Sequence, residues 1–168
     1  MNANFKEIDK LTVNPFDLMK KDTFLLSVKQ GEKTNAMRCG WGMLGVLWGV
    51  DVAAVFVRPS RYTYGMMEEE DTFSLCFFDR EFKEEVEYFG KVSARQEDKM
   101  QKTGLTLSYE QDIPYFHEAR LVILCQKIYR QDLDPTGFVN FSAEPFYRSG
   151  DYHKTYVGRI LKILEKAQ

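Results

Sequence analysis

Residues 53–57, Ala-Ala-Val-Phe-Val, form an apolar run that is stopped two positions later by Pro59, and this stop constrains the chain more than any other feature. A β-branched and aromatic stretch of that length reads as a buried strand. Proline has no N–H to give to a sheet ladder, so the strand must break into a turn there. Arg58 and Arg61 flank the turn, and Ser60, Tyr62, Thr63 and Tyr64 add four hydroxyls. Ser60 is placed to cap a helix over Tyr62 to Glu70, whose free N–H groups and positive dipole end would face the same point as the arginines. Two readings of these residues stand side by side. One is a cradle for a dianionic group such as a phosphate; the other is a capped helix whose arginines are solvated or paired with local carboxylates.

The rest of the chain is read as strands with helices inserted between them. Thr23 to Gln30 and Thr34 to Trp41 are expected to pair as a hairpin about the turn Gly31-Glu32-Lys33. Val52 to Val57 and Thr72 to Phe78 are the next strands. Arg80 to Phe89 carries Phe82, Val86 and Phe89 among charges and reads as a helix, and Ala94 to Thr103 as a second polar helix ending before Gly104. Ala119 to Tyr129 and Tyr156 to Leu164 are long apolar runs assigned as central strands. Asp132 to Tyr152, rich in proline, glycine and aromatics, reads as a loop closing over something or as part of an interface. Strands without regular βαβ alternation favour an antiparallel barrel or sandwich over a doubly wound sheet. No Gly-x-Gly-x-x-Gly follows a strand, so a Rossmann nucleotide site is not indicated.

Composition removes several function classes. At 168 residues with a formal net charge of −2, the chain reads as one domain over 1–168, able to bury a real core. Both charge signs are interspersed and no basic stripe is present, which argues against nucleic acid as a partner. No run approaches the ~18 apolar residues of a membrane span, and the N-terminal residues lack the order of a signal peptide, so no membrane association and a cytoplasmic location are expected. Cys39, Cys76 and Cys125, odd in number and widely spaced, read as buried free thiols.

Two further clusters carry chemistry. In Asn35-Ala36-Met37-Arg38-Cys39-Gly40-Trp41-Gly42, small residues around one indole let a flat ring system approach the backbone, as an isoalloxazine needs, although core packing would equally account for a lone tryptophan. Ser93-Ala94-Arg95-Gln96-Glu97-Asp98-Lys99 offers a hydroxyl and two cations at a helix start, which is also what an ordinary polar cap looks like. His117 reads as structural, and Glu118 with Arg120 as a surface ion pair.

Together these segments resemble the flavin reductase-like family of FMN-binding split barrels, and especially its flavoredoxin-like branch. The resemblance runs from Thr23 to about Leu164. It is carried by Asn35-Ala36-Met37 with Gly40-Trp41-Gly42, by Val57 to Tyr64, by Thr72-Phe73-Ser74-Leu75 leading to Phe77-Phe78, and by Tyr152-His153 followed by Tyr156-Val157-Gly158. It implies a mainly β fold, a split β-barrel with short inserted helices, assembled as a homodimer with one FMN per subunit. It implies that Asn35, Ala36, Met37, Arg38, Cys39, Gly40 and Trp41 line the flavin ring. Arg58, Ser60, Arg61, Tyr62 and Thr63, with Ser93, Arg95 and Lys99, would serve the ribityl chain and phosphate, and His153, as the catalytic residue, would lie close to the flavin or nicotinamide side. The chain departs from the family pattern at Arg38, where a small hydroxyl residue is usual, at Ala94 and Gln96, where glycine and aspartate are usual, and at Arg159, where an acid is common.

The activity so implied is an NAD(P)H-dependent flavin reductase passing hydride from NADH or NADPH to the flavin, with the protein supplying orientation and electrostatics. The alternative is a flavoredoxin-like electron carrier whose tightly bound FMN is reduced by a redox partner protein. A third reading is a binding module that has lost flavin.

Overall fold

The computed structural model describes residues 4–20 and 24–167. Ten strands and four α-helices follow one another as β1 (Phe5–Glu7), α1 (Pro15–Lys20), β2 (Phe24–Gln30), β3 (Lys33–Cys39), β4 (Gly42–Leu47), β5 (Val50–Val57), α2 (Tyr62–Glu69), β6 (Thr72–Phe77), α3 (Lys83–Lys91), α4 (Lys99–Thr103), β7 (Leu107–Glu110), β8 (Ile113–Phe116), β9 (Leu121–Asp132) and β10 (Lys154–Lys166). The expected start of the first hairpin at Thr23 lies outside the described residues. Its remaining pairing holds, with Phe24 opposite Cys39 and Gln30 opposite Lys33.

Eight strands make one antiparallel sheet in the order β3-β2-β6-β9-β10-β5-β4, with β1 on β10, and β7 and β8 form a separate hairpin. The two ends of the path, β3 and β4, are consecutive in the chain and joined only by Gly40 and Trp41. The sheet therefore curls until its first and last strands meet at that corner, with no ladder between them among the described residues. The result is a mainly β split barrel whose seam lies at Gly40–Trp41.

Alternation explains both layers of the core. Phe24, Leu26 and Val28 of β2, Val55 and Val57 of β5, and Phe73, Leu75 and Phe77 of β6 fill the barrel, joined by Tyr156. Leu25, Cys76, Val122 and Leu124 face the other way, against Val86 and Phe89 of α3 and Phe116 of β8. Strands buried on both faces lose the apolar/polar alternation, which is why their sequences read as continuous apolar runs. Gly158 marks the tightest approach: a Cβ there would stand 2.6 Å from Phe73 Cζ and 2.7 Å from Cys125 Cβ, beside a bulge in the β9–β10 ladder at Val157/Gly158. All three cysteines are buried and free, as expected.

Several expectations need correction. Strand β4 precedes β5 in a hairpin turning at Trp48 and Gly49, both with positive φ, so the segment after Trp41 is a strand in its own right. The helix expected over Ala94 to Thr103 is only α4; residues before it form turns, and Asp98 caps the helix by accepting from the Met100 and Gln101 amides. Ser60 does not cap α2. The N-cap position is Arg61 and has no side-chain cap, while the Ser60 hydroxyl donates to Asp151 at 2.5 Å. Glu118 and Arg120 engage different groups: Glu118 accepts from the Thr106 amide, and Arg120 lies 3.6 Å from Asp79.

Candidate functional site

The barrel seam opens into a cleft of about 190 Å³ lined by Met37, Arg38, Cys39, Gly40, Trp41, Phe56, Arg58, Arg61 and His153. A shallower apolar hollow of about 530 Å³ adjoins it across Gly40, Trp41 and Phe56. Three segments far apart in sequence meet here: the end of β3 with the corner after it, the turn from β5 into α2, and His153 just before β10. The period-2 alternation of β3 and β5 decides which side chains reach the cleft. Val55 and Val57 point into the barrel, so Phe56 faces the opposite way; the same alternation could have marked Phe56 in the sequence.

The arginines are not equivalent. Arg58 is tethered, donating to the carbonyls of Phe146 (2.8 Å) and Asp151 (3.1 Å), with its guanidinium carbon 5.2 Å from the Tyr147 ring centroid. The guanidiniums of Arg61 and Arg38 have no hydrogen-bond or ion-pair partner among the described residues, yet both residues line the cleft. The Arg38 stem packs on α3, where a Cβ on Gly90 would come within 3.0 Å of Arg38 Cδ. The nearby carboxylate of Asp151 is committed to the Ser60 amide and hydroxyl. The field of Arg61 reaches Cys39, Lys99 and His153. Guanidiniums without counter-charge beside apolar walls favour an anionic ligand with an apolar, flat body.

Other expected site residues surround this cleft without lining it. Asn35 donates to Thr63 Oγ1 at 2.8 Å in a buried tie between β3 and α2, and the Tyr62 hydroxyl accepts from Lys33. Lys99, only 4% exposed, donates to the carbonyls of Ala36 (2.7 Å) and Phe89 (3.5 Å). Burial, with Arg61 nearby, pulls its pKa down to about 8. Ser93 accepts from the Arg95 amide, and Arg95 reaches back to the Ser60 carbonyl at 3.1 Å, clasping this segment to the arginine turn. The Cys39 thiol is pushed up to about 12 by burial, which leaves it unreactive at neutral pH.

His153 is buried, its ring 4.9 Å from that of Trp41. Burial and the charges of Arg58 and Arg61 push its pKa down to about 4 against the opposing pull of Asp151, so the imidazole is neutral at pH 7. His117 lies elsewhere, 3.2 Å from Asn4 Nδ2. The tethering role of Asp151 and the Phe146 carbonyl carries no sequence signal, because both belong to an irregular segment held by tertiary contacts.

The family model described as flavin reductase like domain matches residues 17–167, and the chain belongs to that family. Among solved structures, an FMN-binding domain of a flavin reductases-like enzyme from Shewanella baltica OS155 is 14% identical, superposes with a TM-score of 0.71, and is matched over 97% of this chain and 78% of its own. A flavoredoxin from Methanosarcina acetivorans is 22% identical, with a TM-score of 0.67 over 96% and 77% of the two chains. The flavoredoxin of Desulfovibrio vulgaris (Miyazaki F) is 20% identical, with a TM-score of 0.68 over 97% and 76%. At these identities the likeness is one of fold. No curated protein matches the chain. Among the described residues no helix is long and apolar enough to cross a membrane, and no cluster of potential ligands for a metal is found.

Proposed function

We propose that the protein binds FMN at the barrel seam and works as an NAD(P)H-dependent flavin reductase. The observation that carries this reading is the pair of unpartnered guanidiniums, Arg38 and Arg61, in a cleft walled by Trp41, Phe56 and Met37. These residues fit the group: the guanidiniums match a phosphate or an anionic ring edge, and the apolar walls match a flat ring. The solved relatives described as FMN-binding or as flavoredoxins support the same ligand. When bound, FMN supplies the hydride-accepting chemistry.

The chain's own residues then act by position and charge. Arg61 serves the phosphate, and the carbonyl-tethered Arg58 braces the 146–151 segment against the site. Trp41, Phe56 and Met37 exclude water from one side of the cleft. His153 contributes a neutral imidazole, and no described side chain is placed as a nucleophile.

A homodimer is part of the proposal. Strand β4 is a sheet edge carrying Met43, Val46 and Leu47 outward, and Trp48 at its tip is 65% exposed beside Tyr129. With Phe141 and Phe146 these are exposed apolar side chains that a second copy would cover.

The electron-carrier alternative draws on the flavoredoxins among the similar folds. One experiment separates the readings: the visible spectrum of purified, FMN-loaded protein in the absence of oxygen, before and after NADH or NADPH. Bleaching supports the reductase, and persistent yellow colour supports a partner-reduced carrier. Failure to take up FMN under titration overturns both.

A further inference from the structure

Behind the cleft, Tyr147 Oη and His153 Nδ1 meet at 2.8 Å. Both residues are nearly closed to solvent, at 7% and 8% exposure. The phenol ring is held from several sides. Tyr152 stacks on it at 4.3 Å and 19°, and the Arg58 guanidinium, itself fixed by two carbonyls, lies 5.2 Å from its centroid. The oxygen is thus delivered to one place.

The direction of this hydrogen bond follows from proton supply. A phenol has one proton to donate and can also accept. Among the described residues the buried Tyr147 oxygen has no other acceptor for its proton, and donating it to Nδ1 leaves no buried donor unpaired. If Nδ1 accepts, a neutral imidazole carries its proton on Nε2. The charged groups acting on the ring are Arg58, Arg61 and Asp151, and with burial they leave it neutral. No described residue takes up Nε2, and His153 lines the cleft.

We infer that Tyr147 is a positioning residue that holds His153 in its Nε2–H form, so that the imidazole offers a hydrogen-bond donor to an acceptor atom of a flat heteroaromatic ligand in the seam cleft. The tautomer depends on this chain alone; its consequence for the ligand rests on the proposed flavin site. The inference also gives a purpose to the aromatic segment from Phe138 to Tyr152, whose rings pack on one another and fix Tyr147.

The test is a long-range proton–nitrogen NMR correlation of the imidazoles in uniformly 15N-labelled wild-type protein without flavin at pH 7. The chain has two histidines, so His117→Gln identifies the signals. The expected spectrum shows a protonated, pyrrole-type Nε2 and a pyridine-type Nδ1 for His153. Tyr147→Phe, which keeps the ring but not the hydroxyl, should shift the tautomer ratio toward Nδ1–H by about tenfold and raise the imidazole's titration midpoint, as loss of one buried hydrogen bond requires. A pyrrole-type Nδ1 in wild type overturns the inference even if Tyr147→Phe fails to fold, and an unchanged ratio in a folded variant does the same. On loading wild-type protein with FMN, the His153 Nε2–H resonance should move as the donor engages the ligand; an unmoved resonance in FMN-loaded protein overturns the ligand contact. A wild type with the expected tautomer that binds no FMN overturns the flavin site and leaves the positioning role standing.

Discussion

The turn at Arg58–Thr63 and the segment Ser93–Lys99 have nearly the same ingredients, a hydroxyl and two cations ahead of a helix, and the fold puts them to different uses. In the second segment both cations are committed to backbone carbonyls: Arg95 to Ser60, and Lys99 to Ala36 and Phe89. In the first, Arg58 is committed in the same way, while Arg61 is left facing the cleft. What separates the committed cations from the uncommitted one is therefore whether a carbonyl lies within reach of the charged end of the side chain. The sheet edge β3 has one at Ala36, and the end of α3 another at Phe89, whereas the Arg61 guanidinium meets no carbonyl among the described residues.

The largest effect that sharpens this contrast is expected at Lys99. Lys99→Met keeps much of the stem but orphans two buried carbonyl contacts, and should destabilise the protein by about 1–3 kcal/mol in urea unfolding. Arg61→Ala should leave the unfolding midpoint unchanged. Equal losses for the two variants would erase the distinction.

The pH dependence of stability offers the next test. His153 has a folded pKa of about 4, below its ordinary value of 6.5. Between those values the unfolded chain takes up a proton that the native state does not, so stability is complete above pH 6.5 and falls as pH drops toward 4, by about 1.4 kcal/mol per unit at most. His153→Gln should flatten that limb of the unfolding curve. Lys99 behaves analogously at the alkaline end: its folded pKa of about 8 lies below 10.5, so its contribution rises with pH between the two values, and Lys99→Met should remove that rise. A wild-type curve without either limb would mean that these groups are better solvated than their burial indicates.

The smallest effect is expected at Arg95. Its single bond to the Ser60 carbonyl joins two segments that other contacts also hold, so Arg95→Ala should weaken FMN binding less than about threefold, near the low end for one hydrogen bond. A loss as large as that at Arg61 would place Arg95 on the ligand.

Much of this organisation was legible in the sequence. The strands at Val52–Val57, Thr72–Phe78, Ala119–Tyr129 and Tyr156–Leu164 announced themselves by apolar, β-branched runs, and Pro59 marked the turn at the site. Strand β4 did not, because Gly42, Gly45 and the outward apolar side chains of an edge strand resemble neither a buried run nor a clean alternation. The β7–β8 hairpin was equally hidden, since its turn uses Gln111 and Asp112 at positive φ where glycine or asparagine is the usual signal. At the site, residue types and segments could be read, whereas the destinations of Arg58, Arg95 and Lys99 could not. Those depend on which carbonyls the tertiary fold brings near, and local spacing holds no record of that.

The central claim is that the unpartnered Arg61 holds the phosphate end of FMN at the barrel seam. Its most direct test is a calorimetric titration of FMN and of riboflavin into wild-type and Arg61→Ala protein. The expected result is an FMN affinity reduced by roughly ten- to a hundredfold in the variant, from the loss of about 1.5–3 kcal/mol in charged hydrogen bonding, with riboflavin affinity nearly unchanged. An equal loss for both flavins, or no loss for FMN, would contradict it.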